Sequence, residues 1–281
     1  MKELRLAFSS LGCPSYSVEQ IVESATAFGY RGVSLRTVRG ESMLPSLDEF
    51  SPRTIGKTAS LFAKAGVEVV CVSSGVRFTS PEAGERDKQL AIAGQYLDIA
   101  SALGSKYVRV FGGPYPPDAD RKSTTAHIVE GFRGACALAE AKGLSIILET
   151  HDSFSRGDSA LALLRAVDRE NLVVVWDILH SLRFGESFTE TWAHIGPYIR
   201  HVHIKDSLIF GPEGFDIKLL GRGTIPIREA LLLLLEKGYE GLLEFEWEKG
   251  WHPEVEGPEI AFPHAVGYIE ALWQELSRGG A

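Results

Sequence analysis

Four short apolar runs in the second half of the chain each end in a side chain of a type that binds metal ions. The runs 146–149, 174–177, 199–203 and 242–246 lead to Glu149, Asp177, His203 and Glu246. Runs rich in Val, Ile and Leu are typical of buried parallel strands, and the carboxyl ends of such strands meet at one mouth of a barrel. Three carboxylates and one imidazole in the same pocket predict a site for one divalent metal ion.

Burial explains why these acids need a cation. A carboxylate without a partner inside apolar strands costs several kcal/mol, so all three acids require a metal ion or strong donors. Oxygen and nitrogen ligands without a thiolate favour a hard ion, so Mn²⁺ is the favoured ion, with Mg²⁺, Co²⁺ or Zn²⁺ as alternatives. The competing interpretation is a salt-bridge network in which the acids pair with Arg109, Lys205 or Arg222.

The elements that must position these ligands alternate along the chain. Strand-like runs lie at residues 4–9, 32–36, 67–72, 107–111, 144–149, 173–177, 200–205 and 242–247. Segments of helical period lie at residues 17–28, 51–65, 84–103, 124–142, 158–168, 188–195, 227–237 and 258–276, and Ser17 with Gln20 has the spacing of a capping box. Eight strand–helix pairs predict an α/β fold, a single (β/α)8 TIM barrel domain over residues 1–281.

Composition and charge disfavour several classes of partner. A formal net charge of −8 argues against binding through phosphate backbones, so no nucleic acid partner is expected. The N-terminus lacks an apolar signal stretch and the longest aliphatic run, residues 230–235, is too short to cross a bilayer, so no membrane partner is expected either. Cys13, Cys71 and Cys136 are widely spaced and odd in number, which predicts core thiols in a cytoplasmic protein.

Six motifs spread over nearly the whole chain carry a family resemblance. They are Gly12-Cys13-Pro14, residues 29–36, Glu149-Thr150-His151, Asp177-Ile178-Leu179-His180, His201-Val202-His203-Ile204-Lys205-Asp206, and residues 238–241 leading into Glu246. Together they resemble the sugar phosphate isomerase/epimerase family with the xylose-isomerase-like TIM barrel. The resemblance implies that Glu149, Asp177, His203 and Glu246 are the metal ligands and that the two glutamates are the acid/base pair. The second-strand motif of the family usually reads Glu-Leu-Arg, whereas this chain has Ser34-Leu35-Arg36, so no substrate contact from strand 2 is carried over.

The residues also support a mechanism of proton transfer next to a carbonyl. A metal ion that holds a hydroxyl and an adjacent carbonyl oxygen acidifies the proton on the carbon between them, and a carboxylate removes it. Reprotonation of the metal-stabilised enediolate at the neighbouring carbon gives an aldose–ketose isomer, and return from the opposite face gives an epimer. We therefore predict a metal-dependent isomerase/epimerase of a sugar or sugar phosphate.

Three other functions remain as alternatives. Loss of a β-hydroxyl from the same intermediate would give a dehydratase of a cyclic polyol ketone, as in related inosose and dehydroshikimate dehydratases. An endonuclease IV-like DNA-repair enzyme needs additional histidines from strands 3 and 4, and residues 71–74 and 111–113 contain none. A noncatalytic sugar-binding barrel is the third alternative.

Further side chains are candidates for contact with a sugar or cyclitol. The resemblance suggests that His151 and His180 hydrogen-bond substrate oxygens, although either one can instead support a ligand. Lys205 shares the strand parity of His203 and is expected to neutralise a substrate oxyanion or to pair with an acid. Arg109 is expected to point inward from strand 4, toward substrate or into a salt bridge.

Strand parity alone leaves one ligand ambiguous. Glu244, Glu246 and Glu248 share a strand face, and the motif register favours Glu246 as the ligand, with Glu244 as a deeper charge partner. Long connections near residues 40–47, 206–225 and 249–258 are expected to border the site. Trp251, in the last of them, is expected to cover the pocket or to close the interface of a homo-oligomer.

Overall fold

The strands of the chain close into a barrel. The computed structural model describes residues 4–279, in which the strands are β1 (Leu6–Ser9), β2 (Gly32–Leu35), β3 (Glu68–Ser73), β4 (Tyr107–Phe111), β5 (Ser145–Glu149), β6 (Leu172–Asp177), β7 (Ile199–Ile204), β8 (Phe210–Gly211), β9 (Gly214–Phe215) and β10 (Leu242–Phe245). Strands β1 to β7 and β10 pair in parallel, and β10 closes the barrel against β1. Strands β8 and β9 form a separate antiparallel hairpin. The predicted single (β/α)8 TIM barrel is therefore confirmed.

Helices occupy the connections between the barrel strands. They are α1 (Val18–Phe28), α2 (Ile55–Ala65), α3 (Ala83–Leu103), α4 (Arg121–Glu140), α5 (Gly157–Val167), α6 (Ile178–Arg183), α7 (Phe188–Ile195), α8 (Ile227–Glu236) and α9 (Pro258–Gly279). The capping box predicted at Ser17 and Gln20 begins α1. Within residues 4–279, no helix combines the length and the apolar character needed to cross a membrane.

Alternation along the strands separates two apolar regions. Side chains such as Val108 and Val110 of β4 belong to the large core between the strands and the helices. Side chains of the opposite parity, among them Cys71, Ile147 and Val175, form a small separate cluster inside the barrel. Glu149 has the parity of Ile147, so the same alternation that fills the barrel carries the polar strand ends to its mouth.

Glycine 131 provides a test of how tightly the outer layer is packed. It lies in α4, and a Cβ atom at this position would overlap the ring of Phe78, which packs edge-on against Phe132. Gly131→Ala gains about 1 kcal/mol of helix propensity but introduces overpacking of about 1–3 kcal/mol, so we expect the free energy of unfolding to fall by up to about 2 kcal/mol.

Chemical denaturation of two alanine variants measures this effect. Gly267 in α9 is exposed and has no atom within 4 Å of the Cβ position, so Gly267→Ala is the matched control. We expect this control to raise the free energy of unfolding by about 0.5–1 kcal/mol. Equal stability of the two variants would contradict the packing described for α4.

Candidate metal centre

The ends of four barrel strands bring the candidate ligands together. Glu149 is the last residue of β5 and Asp177 the last of β6, His203 lies in β7, and Glu246 directly follows β10. One ligand atom from each of the four residues lies within 4.8 Å of the others, and all four side chains are buried. The register explains the convergence, because His203 of β7 is level with Asp177 on one side and with Glu244 on the other.

The imidazole of His203 has one nitrogen facing the three acids and one facing away from them. Its Nδ1 atom lies 3.5 Å from Glu149 Oε1, 3.8 Å from Asp177 Oδ2 and 3.3 Å from Glu246 Oε2. Its Nε2 atom lies 3.5 Å from Glu244 Oε1. Nδ1 is therefore the atom placed to bind a metal ion, and Glu244 is the acceptor that orients the ring from the other side.

Ser34 occupies the position where the family motif has glutamate. Its hydroxyl donates a 2.6 Å hydrogen bond to Glu244 Oε2, beneath the imidazole of His203. This contact identifies Glu244 as the deeper charge partner of the three glutamates on β10 and the residues after it. Ser34, which replaces the glutamate of the family motif, therefore holds Glu244 and through it supports the ring of His203.

Asp177 divides its two carboxylate oxygens between two tasks. Oδ1 accepts hydrogen bonds from Leu179 N at 2.9 Å and His180 N at 3.1 Å and thereby caps α6. Asp177 N in turn donates a 2.8 Å bond to Thr150 Oγ1, which holds the end of β6 in place. Oδ2 remains directed toward the other three candidate ligands.

Two buried polar atoms indicate that a cation fits this site. His203 Nδ1 is buried and makes no hydrogen bond to any other residue in the range 4–279, and Asp177 Oδ2 makes none either, although it forms an ion pair with Lys205 Nζ at 2.8 Å. Buried polar atoms in proteins are nearly always satisfied, and a divalent ion accepts both a carboxylate oxygen and an imidazole nitrogen. The donor set of these four residues therefore fits a divalent ion.

Two basic side chains border the acids, as the salt-bridge interpretation requires. Arg109 Nη1 lies 2.6 Å from Glu149 Oε2 and 4.0 Å from Glu246 Oε1. Lys205 Nζ lies 2.8 Å from Asp177 Oδ2, 2.5 Å from Glu246 Oε2 and 2.5 Å from Glu248 Oε1. Both basic side chains are buried.

These ion pairs do not balance the charge of the acids. Arg109 and Lys205 face four carboxylates, so with a neutral His203 two negative charges are left over, which is the charge that one divalent cation neutralises. Arg222, the third base considered, is exposed and takes part in no ion pair of the described part of the chain. Arg109 and Lys205 thus contact the acids directly, and their predicted contact with substrate stays a prediction.

The charges of the centre set the protonation of its acids. Burial would raise the pKa of Glu149, but the Arg109 guanidinium outweighs burial and lowers this pKa to about 2. Burial also opposes ionisation of Glu246, yet the charges of His203 and Lys205 hold its pKa well below the usual value. Both glutamates are therefore anionic at neutral pH and able to accept a proton.

The pKa of His203, which lies between the acids, is shifted upward. Burial lowers the pKa of His203, but the carboxylates of Glu246 and Glu244 outweigh burial and hold this pKa well above its usual value. A metal ion binds neutral imidazole, so metal binding at this centre is coupled to release of a proton from His203.

The two further histidines named from the sequence lie beside each other at the mouth. The ring centroids of His151 and His180 are 4.3 Å apart, and His180 Nε2 lies 3.8 Å from Asp177 Oδ2. Burial lowers the pKa of His180 to about 3, so this ring is neutral. The side chain of His151 is 32% exposed and therefore accessible from the mouth.

The β8–β9 hairpin brings to the site an aromatic side chain that sequence reasoning did not predict. Phe215, at the end of β9, places its ring 5.7 Å from the ring of His180 and 5.6 Å from Lys205 Nζ. Glu248 also lies close to Lys205 Nζ, at 2.5 Å, and the only indication of this position in the sequence was that Glu248 shares the strand parity of Glu246. For Phe215 no local signal exists, because its position depends on how the long loop after β7 folds back.

Comparison with known proteins shows the family to which the chain belongs. The family model described as xylose isomerase-like TIM barrel matches residues 22–271. The chain belongs to this family. D-psicose 3-epimerase of Ruminiclostridium cellulolyticum is 24% identical over 197 residues, which cover 66% of this chain and 61% of that protein.

Solved structures of other proteins share the fold of this chain. A probable 3-dehydroshikimate dehydratase from Bacillus anthracis superposes with a TM-score of 0.79 at 18% identity, covering 95% of this chain and 99% of that chain. The IOLI protein with a bound zinc atom superposes with a TM-score of 0.82 at 18% identity, covering 98% and 99%. Several relatives of this chain are enzymes, among them epimerases and a dehydratase.

Proposed function

We propose that the protein is a divalent-metal-dependent isomerase or epimerase of a sugar or sugar phosphate. The observation that carries the proposal is the convergence of Glu149, Asp177, His203 and Glu246, whose ligand atoms lie within 4.8 Å of one another. The epimerases among the relatives support the same reaction class. Mn²⁺ is the favoured ion, and the zinc atom in the IOLI structure supports a test of Zn²⁺ beside it.

In this proposal Glu149 and Glu246 transfer the proton. A bound divalent cation would supply Lewis-acid polarisation of a hydroxyl and an adjacent carbonyl oxygen of the substrate. Either glutamate, anionic at neutral pH, then accepts the proton from the hydroxyl-bearing carbon next to the carbonyl, and the same or the other glutamate returns a proton. Lys205, 2.5 Å from Glu246, and Arg109, 2.6 Å from Glu149, hold the two carboxylates in position.

A dehydratase of a cyclic polyol ketone is the second candidate. It begins with the same proton removal and differs by the departure of a β-hydroxyl group. The dehydratase structure with a TM-score of 0.79 and the curated dehydratase relative support this alternative. The protonation of the departing hydroxyl would require an acid at the mouth, where His151 is accessible.

Incubation with Mn²⁺ in D₂O tests the proposal. We expect deuterium to enter a ketose at the carbon beside the carbonyl, together with formation of an epimer or an aldose, when a panel of ketoses, ketose phosphates, inososes and dehydroshikimate is examined by NMR. Dehydration of an inosose or of dehydroshikimate without epimer formation would favour the second candidate. Metal-loaded protein that exchanges no proton of any compound would exclude both.

A further inference from the structure

Arg36 lies at the mouth that holds the candidate metal centre. It directly follows β2, and its backbone N–H donates a 2.8 Å hydrogen bond to Ser10 Oγ. Thr37 adds two bonds to the same residue, from its N–H to Ser10 Oγ at 3.0 Å and from its hydroxyl to Ser10 O at 2.9 Å. The backbone of Arg36 is therefore anchored to the carboxyl end of β1, and its side chain starts from a defined position.

The guanidinium of Arg36 lacks an anionic partner. In the part of the chain from residue 4 to 279, it makes no ion pair and no side-chain hydrogen bond, although the residue is only half-buried at the edge of a strongly acidic centre. Its contact is with Trp251, whose ring centroid lies 5.6 Å from Arg36 Cζ. A shielded charge without a partner is costly, so such a group requires an explanation.

The surroundings of this guanidinium make it a site for an anion. Burial and the like charge of Arg109 lower the pKa of Arg36 to about 10, while the carboxylates of Glu149 and Glu246 oppose this change. A bound divalent cation would neutralise those two carboxylates and leave Arg36 with still less compensation. An anion bound from solution would compensate the positive charge of Arg36.

The chain leaves room for such a partner beside Arg36. A cavity of about 120 Å³ is lined by Arg36, Ser42, Gly75, Gln89 and Tyr96 together with the apolar side chains of Met43, Val76 and Ile92. Because one water molecule needs about 10–15 Å³ measured in this way, the cavity holds a group much larger than water. The hydroxyl of Tyr96 already donates to Ser42 O at 2.7 Å, and among the residues that line the cavity Arg36 is the one with a cationic side chain.

We infer that Arg36 binds an oxyanion group of the substrate, a carboxylate or a phosphate, and thereby selects anionic hydroxy-carbonyl compounds over neutral sugars. The inference rests on the proposed function, since it names the substrate class of the same site. A neutral hydroxyl would accept a hydrogen bond from the guanidinium but would leave its charge uncompensated, whereas an oxyanion matches both its charge and its planar donors.

Arg36→Met tests the inference because it keeps the length of the side chain and removes the charge. With matched pairs of compounds, a ketose against its terminal phosphate ester and a cyclitol ketone against its carboxylate analogue, we expect kcat/KM for the anionic member to fall by about 10- to 100-fold. For the neutral member, which loses only a hydrogen bond to an uncharged group, we expect a fall of about 10-fold at most and always smaller than that of the anionic member, with bound metal content unchanged; equal falls for both members would contradict selection of the charge. Arg31→Met, at the exposed residue before the other end of β2, is the matched control.

A binding measurement separates this inference from the proposed reaction. Calorimetric titration of metal-free protein with inorganic phosphate and with glycolate is expected to show binding of at least one anion to the wild type and at least tenfold weaker binding to Arg36→Met. Preference for phosphate or for glycolate identifies the phosphate or the carboxylate as the group recognised. Equal binding by the two proteins, or binding of neither anion, would overturn the role of Arg36 whether or not the enzyme exchanges protons.

Discussion

Replacement of Glu246 by glutamine is expected to lower kcat by about 10³-fold or more while the protein remains folded. An amide cannot accept the proton in the proposed reaction, and general acid–base catalysis alone contributes about 10²- to 10⁴-fold. Loss of one anionic metal ligand adds to this effect. The fold should tolerate the change because Lys205 keeps Asp177 at 2.8 Å and Glu248 at 2.5 Å as partners.

Steady-state kinetics together with metal analysis measure the effect of Glu246→Gln. Glu130→Gln, at an exposed position of α4, is the matched control and should retain wild-type turnover. Glu149→Gln should abolish turnover as well, but at a greater loss of stability, since the nearest acid left to Arg109 is then Glu246 at 4.0 Å. Turnover near the wild-type value in Glu246→Gln would refute the acid/base assignment.

Removal of divalent ions is expected to abolish turnover and to lower the thermal stability of the protein. The four carboxylates of the centre outnumber Arg109 and Lys205 by two, so an ion that binds only the folded state and replaces the proton of His203 stabilises that state by linkage. At a metal concentration 100 times the Kd, this stabilisation is about 2.7 kcal/mol. Addition of Mn²⁺ after chelation should therefore restore activity and raise the Tm.

Asp177→Asn is the variant that assigns this effect to the centre. Asparagine can still accept the hydrogen bonds from Leu179 N and His180 N, so the cap of α6 is retained. Its amide is a far weaker metal ligand, and we expect the Mn²⁺-dependent rise in Tm to be largely lost. A wild-type protein whose activity and Tm do not respond to chelation would contradict the metal centre.

The barrel and its four candidate ligands were accessible from the sequence for a physical reason. Buried parallel strands must be continuously apolar, so a charged residue at the end of an apolar run marks both the end of the strand and a group that needs compensation. This reasoning predicted β5, β6 and β7 to within one or two residues and indicated that Glu149, Asp177, His203 and Glu246 meet. Helix α6 was not predicted, because it begins directly after β6 without an intervening turn signal.

The tertiary structure decided which residues of equal parity play which part. Strand alternation specifies the face of a side chain but not its depth or its partner, so parity did not distinguish Glu244, near Nε2 of His203, from Glu246, near Nδ1, and only the motif register favoured Glu246. The pairing of Arg109 and Lys205 with the acids, the position of Phe215 and the lack of a partner for Arg36 depend on contacts between segments far apart along the chain. Such contacts are set by how strands and loops pack around the barrel, and no local pattern of residues encodes them.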